Sequence, residues 1–150
     1  MHSILLARPH PFIVAEMTPL LGELGYEPVK LASLADMDRL AFPRLRGAII
    51  SLAISSSTGA TAAETVDAMR RRFPGLPLVF AGMIGIDMAT QNIGRLFAGE
   101  TVPMVVGVDS PVGVHAATGS RTACLYISKE QIADVTRHTA IKAMLKAHFR

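Results

Sequence analysis

The sequence predicts a single α/β domain in which helices cover both faces of a doubly wound parallel sheet, giving three layers. Short apolar runs alternate along the chain with helical patterns, which is the order typical of parallel β-α-β units. Half of the 150 residues are hydrophobic and the mean hydropathy is +0.37, as expected for strands buried on both sides. A chain of this length buries one sizeable core, so we expect one domain over residues 1–150.

The first half of the chain predicts three strands and two helices. Residues 4–7 form an apolar run before two prolines, and residues 12–24 repeat apolar side chains near helical spacing up to Gly25. Residues 27–31 suit a second strand, after which a short helix is expected. The third strand, over residues 47–54, is apolar on both faces and is therefore expected at the centre of the sheet.

The second half begins with a clear helix start. Thr61 and Glu64 have the spacing of a capping box, and Pro74 ends the helix that they open. Residues 76–81 then predict a fourth strand, which is followed by a weaker helix over residues 85–98.

The C-terminal part contains one strand more than a simple alternating pattern needs. Residues 102–108 and 122–127 are both apolar and strand-like, and the stretch between them is rich in Gly, Ser, Thr and Pro. We therefore expect an insertion over about 102–127, in which one strand completes the sheet and the other extends or covers its edge. A capping box that begins at Ser128 predicts a final helix over about 129–149.

Four segments of the chain resemble the receiver domain of bacterial response regulators. They are the opening Ile4-Leu-Leu-Ala-Arg-Pro-His-Pro11, the helix end at Gly25-Tyr-Glu27, the third strand Gly47-Ala-Ile-Ile-Ser-Leu52 and the fourth strand Leu76-Pro-Leu-Val-Phe80. The resemblance implies a flavodoxin-like (CheY-like) sheet with strand order 2-1-3-4-5, and the function of a signalling module in a two-component system.

The residues that carry phosphorylation in receivers are replaced in this chain. In that family two acidic residues after the first strand hold Mg²⁺, an aspartate ending the third strand accepts the phosphoryl group, and a hydroxyl residue and a lysine complete the switch. The matching positions are Arg8 and Pro9 for the acidic pair, Leu52 for the aspartate, Gly82 for the hydroxyl residue, and Ser110 or Lys129 for the lysine. Because these replacements supply neither a carboxylate nucleophile nor hard oxygen ligands, we expect no phosphotransfer and no metal binding. The resemblance then implies a non-phosphorylatable pseudo-receiver that is not an enzyme and acts through protein contacts or dimerisation.

A serine-rich segment follows the third strand, where the switch point of this fold is expected. Its residues that could hold an anion are Ser55, Ser56, Ser57, Thr58, Gly59 and Thr61. Hydroxyls and free amides there favour an alternative function, a sensor that binds a small phosphate-bearing ligand. The segment also resembles the phosphate loop of flavodoxins, but that family places the loop after the first strand, so no flavin is expected. A structural alternative is that these side chains cap the next helix.

The final helix is predicted to carry two apolar faces. The first, expected to pack on the sheet, is formed mostly by small residues: Ile132, Ala133, Thr136, Ala140, Ala143, Met144 and Ala147. The second face is the stripe of Ile141, Leu145 and Phe149, which lies well away from the first. We interpret this stripe as a candidate interface for a protein partner or a second copy of the chain. Coverage of the stripe by the insertion is the alternative.

Charge and composition argue against several other functions. The formal net charge is +3 and the pI about 9.4, but no basic patch is interleaved with aromatic residues, so no nucleic-acid binding is expected. No apolar run reaches the roughly 18 residues that a membrane span needs, and the first residues lack the pattern of an export signal, so we expect a cytoplasmic protein. The histidines and the single Cys124 show no metal-ligand spacing, and no cofactor is expected.

Overall fold

The computed structural model describes residues 2–39, 44–97, 104–109 and 123–149, and these form an α/β domain around one parallel sheet. The six strands of that sheet are β1 His2–Arg8, β2 Tyr26–Lys30, β3 Leu45–Ser51, β4 Leu78–Gly82, β5 Met104–Gly107 and β6 Ala123–Ser128. Their order is β2-β1-β3-β4-β6-β5, and every neighbouring pair is parallel. The α/β class and the first four sheet positions therefore agree with the sequence prediction.

The sequence left open which of the two C-terminal strands completes the predicted order 2-1-3-4-5 and which one extends the sheet, and the structure answers this point. β6 lies beside β4, where Leu125 pairs with Val79, and β5 lies outside β6 at the edge of the sheet. The physical reason is burial, because five consecutive residues of β6 are buried on both faces whereas β5 is short and begins with the exposed Met104. The strand that is apolar throughout takes the interior position. Ser110 and most of the residues between β5 and β6 lie outside the described part of the chain.

Helices cover both faces of the sheet. They are α1 Pro11–Glu23, α2 Asp36–Arg39, α3 Ala62–Arg72, α4 Ile86–Leu96, α5 Lys129–Ala133 and α6 His138–His148, with a 3-10 helix at Val135–Arg137 before α6. Buried side chains of α1, α5 and α6 form one core cluster with one face of the strands, and those of α2, α3 and α4 form a second cluster with the other face. In β1, for example, Leu6 belongs to the first cluster and Leu5 to the second, as strand alternation requires.

The C-terminal helix is interrupted, contrary to the prediction of one helix over about 129–149. The capping box is present, since Gln131 N donates to Ser128 Oγ at 3.1 Å and Ser128 N donates to Gln131 Oε1 at 3.0 Å. At Asp134 the backbone is extended, with φ −87° and ψ 105°, and the side chain of Asp134 accepts a hydrogen bond from Thr136 N at 3.0 Å. An aspartate that caps a new turn ends one helix and begins the next.

The candidate interface of Ile141, Leu145 and Phe149 is wrong, because all three side chains are at most 1% exposed in the core. The residues exposed instead are the small ones that were expected to pack on the sheet: Ala133, Thr136, Ala140 and Ala143. Because the chain leaves the helical conformation at Asp134, the faces of α5 and α6 are not continuous. The larger side chains of α6 then fill the space above the sheet, which alanines are too small to fill.

Phe149 shows how closely the end of α6 packs on the sheet. A Cβ added at Gly47 in β3 would lie 2.2 Å from Cε1 of the Phe149 ring, so glycine is the residue that admits the ring there. The ring also meets Tyr26 edge to face, with centroids 5.7 Å apart and planes at 87°. Residues at the end of α6, the start of β2 and the start of β3 therefore pack into one contact.

None of the helices in the described part of the chain has both the length and the apolar character that a membrane crossing requires.

Candidate functional site

The carboxyl ends of the strands border two crevices, each at a place where neighbouring strands lead into helices on opposite faces of the sheet. β1 leads into α1 and β3 leads towards α3, on opposite faces, and β4 and β6 likewise lead into α4 and α5. In parallel α/β sheets ligands bind at such switch points. We call the first of these the β1–β3 crevice, of about 610 Å³, and the second the β4–β6 crevice, of about 490 Å³.

Arg8 lies buried at the carboxyl edge of the sheet, between the ends of β1 and β3. It is the last residue of β1, and only 1% of its surface is exposed. Its Nη1 donates to Ser51 O at 2.7 Å and to Ala53 O at 2.5 Å, and its Nη2 donates to Ile54 O at 3.1 Å. Its Nε donates to Ala60 O at 2.8 Å. Four of the five N–H donors of the guanidinium are thus bound to backbone carbonyls, one at Ser51, the last residue of β3, and three in the β3–α3 loop, residues 52–61.

The positive charge of Arg8 is buried among neutral hydrogen-bond acceptors. Among the described residues no carboxylate forms an ion pair with it, and its acceptors are neutral carbonyl oxygens. Burial lowers the pKa of the guanidinium, although an arginine of this kind stays protonated in proteins. The edge of the sheet therefore contains a fixed positive charge at the sequence position that the resemblance matches to a receiver carboxylate.

The structure brings the other positions matched to the receiver switch to the same edge. Leu52 follows β3, and its N–H donates to Ala81 O of β4 at 2.8 Å. A Cβ added at Gly82 would lie 3.3 Å from the Leu52 Cβ and 3.1 Å from Tyr126 Oη, so a side chain there would require these neighbours to shift by a few tenths of an ångström. Gly82 pairs with Ser128, which places Lys129 just beyond the end of the neighbouring strand.

The hydroxyls of the serine-rich segment divide into two groups. Ser56 Oγ donates to Pro9 O at 3.0 Å and accepts from Thr58 Oγ1 at 3.3 Å, while Thr58 Oγ1 accepts from Ala60 N at 3.3 Å. Thr61 forms the predicted capping box with Glu64, whose carboxyl pKa is lowered by the Thr61 backbone N–H and hydroxyl. These side chains hold the loop and cap α3, as the structural alternative predicted.

The second group is formed by Ser55 and Ser57, which are exposed and line the β1–β3 crevice. Within the described residues, neither hydroxyl has a hydrogen-bond partner. Gly59, with φ +75°, provides the turn after them and lies outside the crevice lining. Of the six residues proposed from the sequence, Ser55, Ser56 and Ser57 line the crevice.

His10 and Lys30 complete the polar part of the β1–β3 crevice, and of the two Lys30 was missed by sequence reasoning. Lys30 ends β2 and His10 lies between β1 and α1. Because β1 and β2 are parallel neighbours, the two residues meet at the carboxyl edge of the sheet. His10 Nδ1 accepts a hydrogen bond from Phe12 N at 3.4 Å, which leaves the proton of a neutral ring on Nε2. The rest of the lining is apolar and includes Pro9, Pro11 and Val14.

The β4–β6 crevice was not predicted from the sequence, because it exists only when β6 is inserted beside β4. Tyr126 Oη donates to Ile84 O at 2.6 Å, and burial raises the pKa of that phenol. Arg137 forms ion pairs with Asp109 and Asp134 at its rim. Asp109, Asp134 and Arg137 thus pair with each other, whereas Glu130, which also lines the crevice, forms no ion pair among the described residues.

The only sulfur nucleophile in the chain is held away from the crevices of the carboxyl edge. Cys124 lies within β6 and is 4% exposed, and burial raises the pKa of its thiol to about 12. A thiol with this pKa is protonated at neutral pH and is a poor nucleophile.

Large apolar side chains are exposed beside the two crevices. Ile54 in the β3–α3 loop is fully exposed, at 102% of its reference area, and the neighbouring β4–α4 loop and the start of α4 expose Met83, Ile86 and Met88. β3 and β4 are adjacent strands, so their loops lie at the same edge of the sheet. We call Ile54, Met83, Ile86 and Met88 the apolar edge patch. Sequence reasoning missed it because Ile54 was assigned to the buried third strand.

No group of three His, Cys, Asp or Glu side chains is arranged to hold a metal ion within residues 2–39, 44–97, 104–109 and 123–149. Comparison of the chain with protein-family models, with curated proteins and with solved structures gives no match.

Proposed function

We propose that this chain is a receiver-like signalling module of flavodoxin-like fold that works in the cytoplasm without phosphorylation, by binding a protein partner at the carboxyl edge of its sheet. The observation that carries the proposal is the position of Arg8. A guanidinium with four backbone acceptors stands where phosphotransfer needs carboxylates and a metal.

The same guanidinium supports a fixed surface rather than a switch. Its bonds to Ser51, Ala53, Ile54 and Ala60 join the two ends of the loop after β3 to the end of β1. A loop held in one arrangement does not need a phosphoryl group to select that arrangement. The module is therefore proposed to be permanently in its binding form.

The apolar edge patch is the contact surface that this proposal favours. Arg8 binds the carbonyl oxygen of Ile54, so the exposed Ile54 side chain projects from a backbone that is already ordered. Binding through a preordered loop avoids the entropy cost of fixing it. Met83 and Met88 add flexible thioether side chains, which adapt to apolar side chains of a partner. A partner that presents an apolar protein surface fits this chemistry.

Dimerisation through Ile141, Leu145 and Phe149 is not part of the proposal, since those side chains are buried in the chain's own core.

Replacing Ile54 by serine is expected to abolish partner binding without loss of fold, because the side chain is fully exposed. The matched control is Val135→Ser, which removes another exposed β-branched side chain, 75% exposed, in the 3-10 helix. Wild-type, Ile54→Ser and Val135→Ser proteins are immobilised in parallel and exposed to extract of the cells that express the chain. We expect one set of proteins to be retained by wild type and Val135→Ser and lost by Ile54→Ser. Equal retention by all three, or by none, contradicts the proposed surface.

A further inference from the structure

We propose that the β1–β3 crevice binds a small organic phosphate, with the phosphate at Lys30, Ser55 and Ser57 and the apolar part of the ligand against Pro9, Pro11 and Val14. This site goes beyond the proposed function, because it takes a small molecule rather than a protein, and none of the four residues of the apolar edge patch lines it.

The charge of the crevice favours an anion. Lys30 lines it, and within the described residues the lysine has no ion-pair partner. No aspartate or glutamate contributes to the lining. Arg8, whose charge is likewise not balanced by a described carboxylate, directly precedes Pro9 and donates to Ile54 O, next to Ser55. Two cations and no lining carboxylate give the crevice a positive potential.

The hydrogen-bonding groups fit a phosphate better than they fit a cation. The hydroxyls of Ser55 and Ser57 have no partner among the described residues, and His10 has Nε2 available as a donor. Hydroxyl, imidazole and ammonium groups all donate hydrogen bonds to phosphate oxygens. Ser56 does not take part, because its bond to Pro9 O holds the serine-rich segment against the loop before α1. That bond makes the crevice preformed.

The size and the apolar side of the crevice argue for an organic ligand rather than inorganic phosphate. Its volume of about 610 Å³ lies in the ordinary range of small-molecule sites, which is roughly 300 to 1,000 Å³. Pro9, Pro11 and Val14 cover the side towards α1. A ligand that combines a phosphate with a flat or apolar body fills both parts.

Phenyl phosphate and inorganic phosphate are suitable probes, followed by the shifts of backbone amide signals in NMR titrations of the full chain. We expect saturable amide shifts at His10 and Phe12, which flank Pro11, and at Ser55 and Ser57. Phenyl phosphate is expected to bind several times more tightly than inorganic phosphate. Lys30→Gln is expected to weaken phenyl phosphate binding by about tenfold, the factor that corresponds to one ion pair of about 1.4 kcal/mol. Lys129→Gln removes the same charge at the start of α5 and is expected to leave binding unchanged.

Ser57→Ala provides a second variant, which is expected to weaken binding without affecting fold because the side chain is exposed. Three results would overturn the site: equal binding by wild type and Lys30→Gln, shifts confined to other parts of the chain, or inorganic phosphate binding as tightly as phenyl phosphate. Absence of saturable shifts at millimolar phenyl phosphate would overturn it as well. None of these results bears on retention of a protein partner by the Ile54 variant, so the two proposals fail separately.

Discussion

Replacing Arg8 by methionine is expected to lower the free energy of unfolding by about 3 kcal/mol or more. Methionine keeps an apolar stem of similar length but removes every donor, so the carbonyl oxygens of Ser51, Ala53, Ile54 and Ala60 lose their partner, the first in a buried and the others in a part-buried place. Arg95→Met is the matched control, since Arg95 is exposed on α4 and its loss should change stability by less than about 0.5 kcal/mol. Urea unfolding followed by circular dichroism measures both values.

Hydrogen exchange distinguishes a local loss of order in the β3–α3 loop from a general loss of stability in Arg8→Met. In Arg8→Met the amides of the β3–α3 loop are expected to exchange faster relative to those of β6 than they do in the wild-type chain. Arg8→Lys keeps the charge but has fewer donors and no planar guanidinium, so its free energy of unfolding should lie between those of wild type and Arg8→Met. This variant keeps the test possible if Arg8→Met does not fold. An Arg8→Met protein as stable as Arg95→Met would refute the role assigned to the guanidinium.

Replacing Phe149 by alanine is expected to lower the free energy of unfolding by about 3 to 5 kcal/mol, as for other large core aromatics. The ring is 1% exposed and contacts Gly47 and the edge of Tyr26. An interface residue would behave differently, because its loss would change the association state and leave the unfolding of a monomer nearly unchanged. Chemical unfolding combined with sedimentation separates these outcomes, and Val135→Ser again provides the surface control.

The contact with Gly47 can be isolated by a double-mutant cycle. Gly47→Ala alone is expected to cost about 1 to 3 kcal/mol, because a Cβ there would overlap the Phe149 ring. In the Phe149→Ala background the same change should cost less, since the ring is gone and Pro77 O, 3.0 Å from the added Cβ, is the close contact that remains. Equal costs in both backgrounds would show that the ring does not pack on β3 as the structure describes.

Local features of this fold could be predicted from the sequence because their causes lie within a few residues. The capping boxes at Thr61 and Ser128 are examples, since each bond spans three residues. The order of β5 and β6 could not be predicted, because both segments are strand-like and only their burial in the assembled sheet distinguishes them. The two faces of α6 were misassigned for a related reason, since the break at Asp134 changes which side chains face the sheet.

The candidate site shows the same division between local and long-range causes. The absence of the receiver carboxylates follows from single positions, such as Arg8 and Leu52, and was evident in the sequence. The hydrogen-bond acceptors of Arg8 lie 43 to 52 residues away in the chain, so the bonds that hold the β3–α3 loop were not evident in the sequence. The meeting of Lys30 with Ser55 and Ser57 in one crevice also depends on strand neighbours far apart in the chain.

Intact-mass spectrometry after incubation with acetyl phosphate and Mg²⁺ tests most directly the proposal that this chain is a receiver-like module without phosphotransfer. With Arg8 and Leu52 at the positions of the acidic residues, we expect the protein to keep its unmodified mass. A species heavier by one phosphoryl group that hydroxylamine removes, as it removes an acyl phosphate, would contradict the proposal.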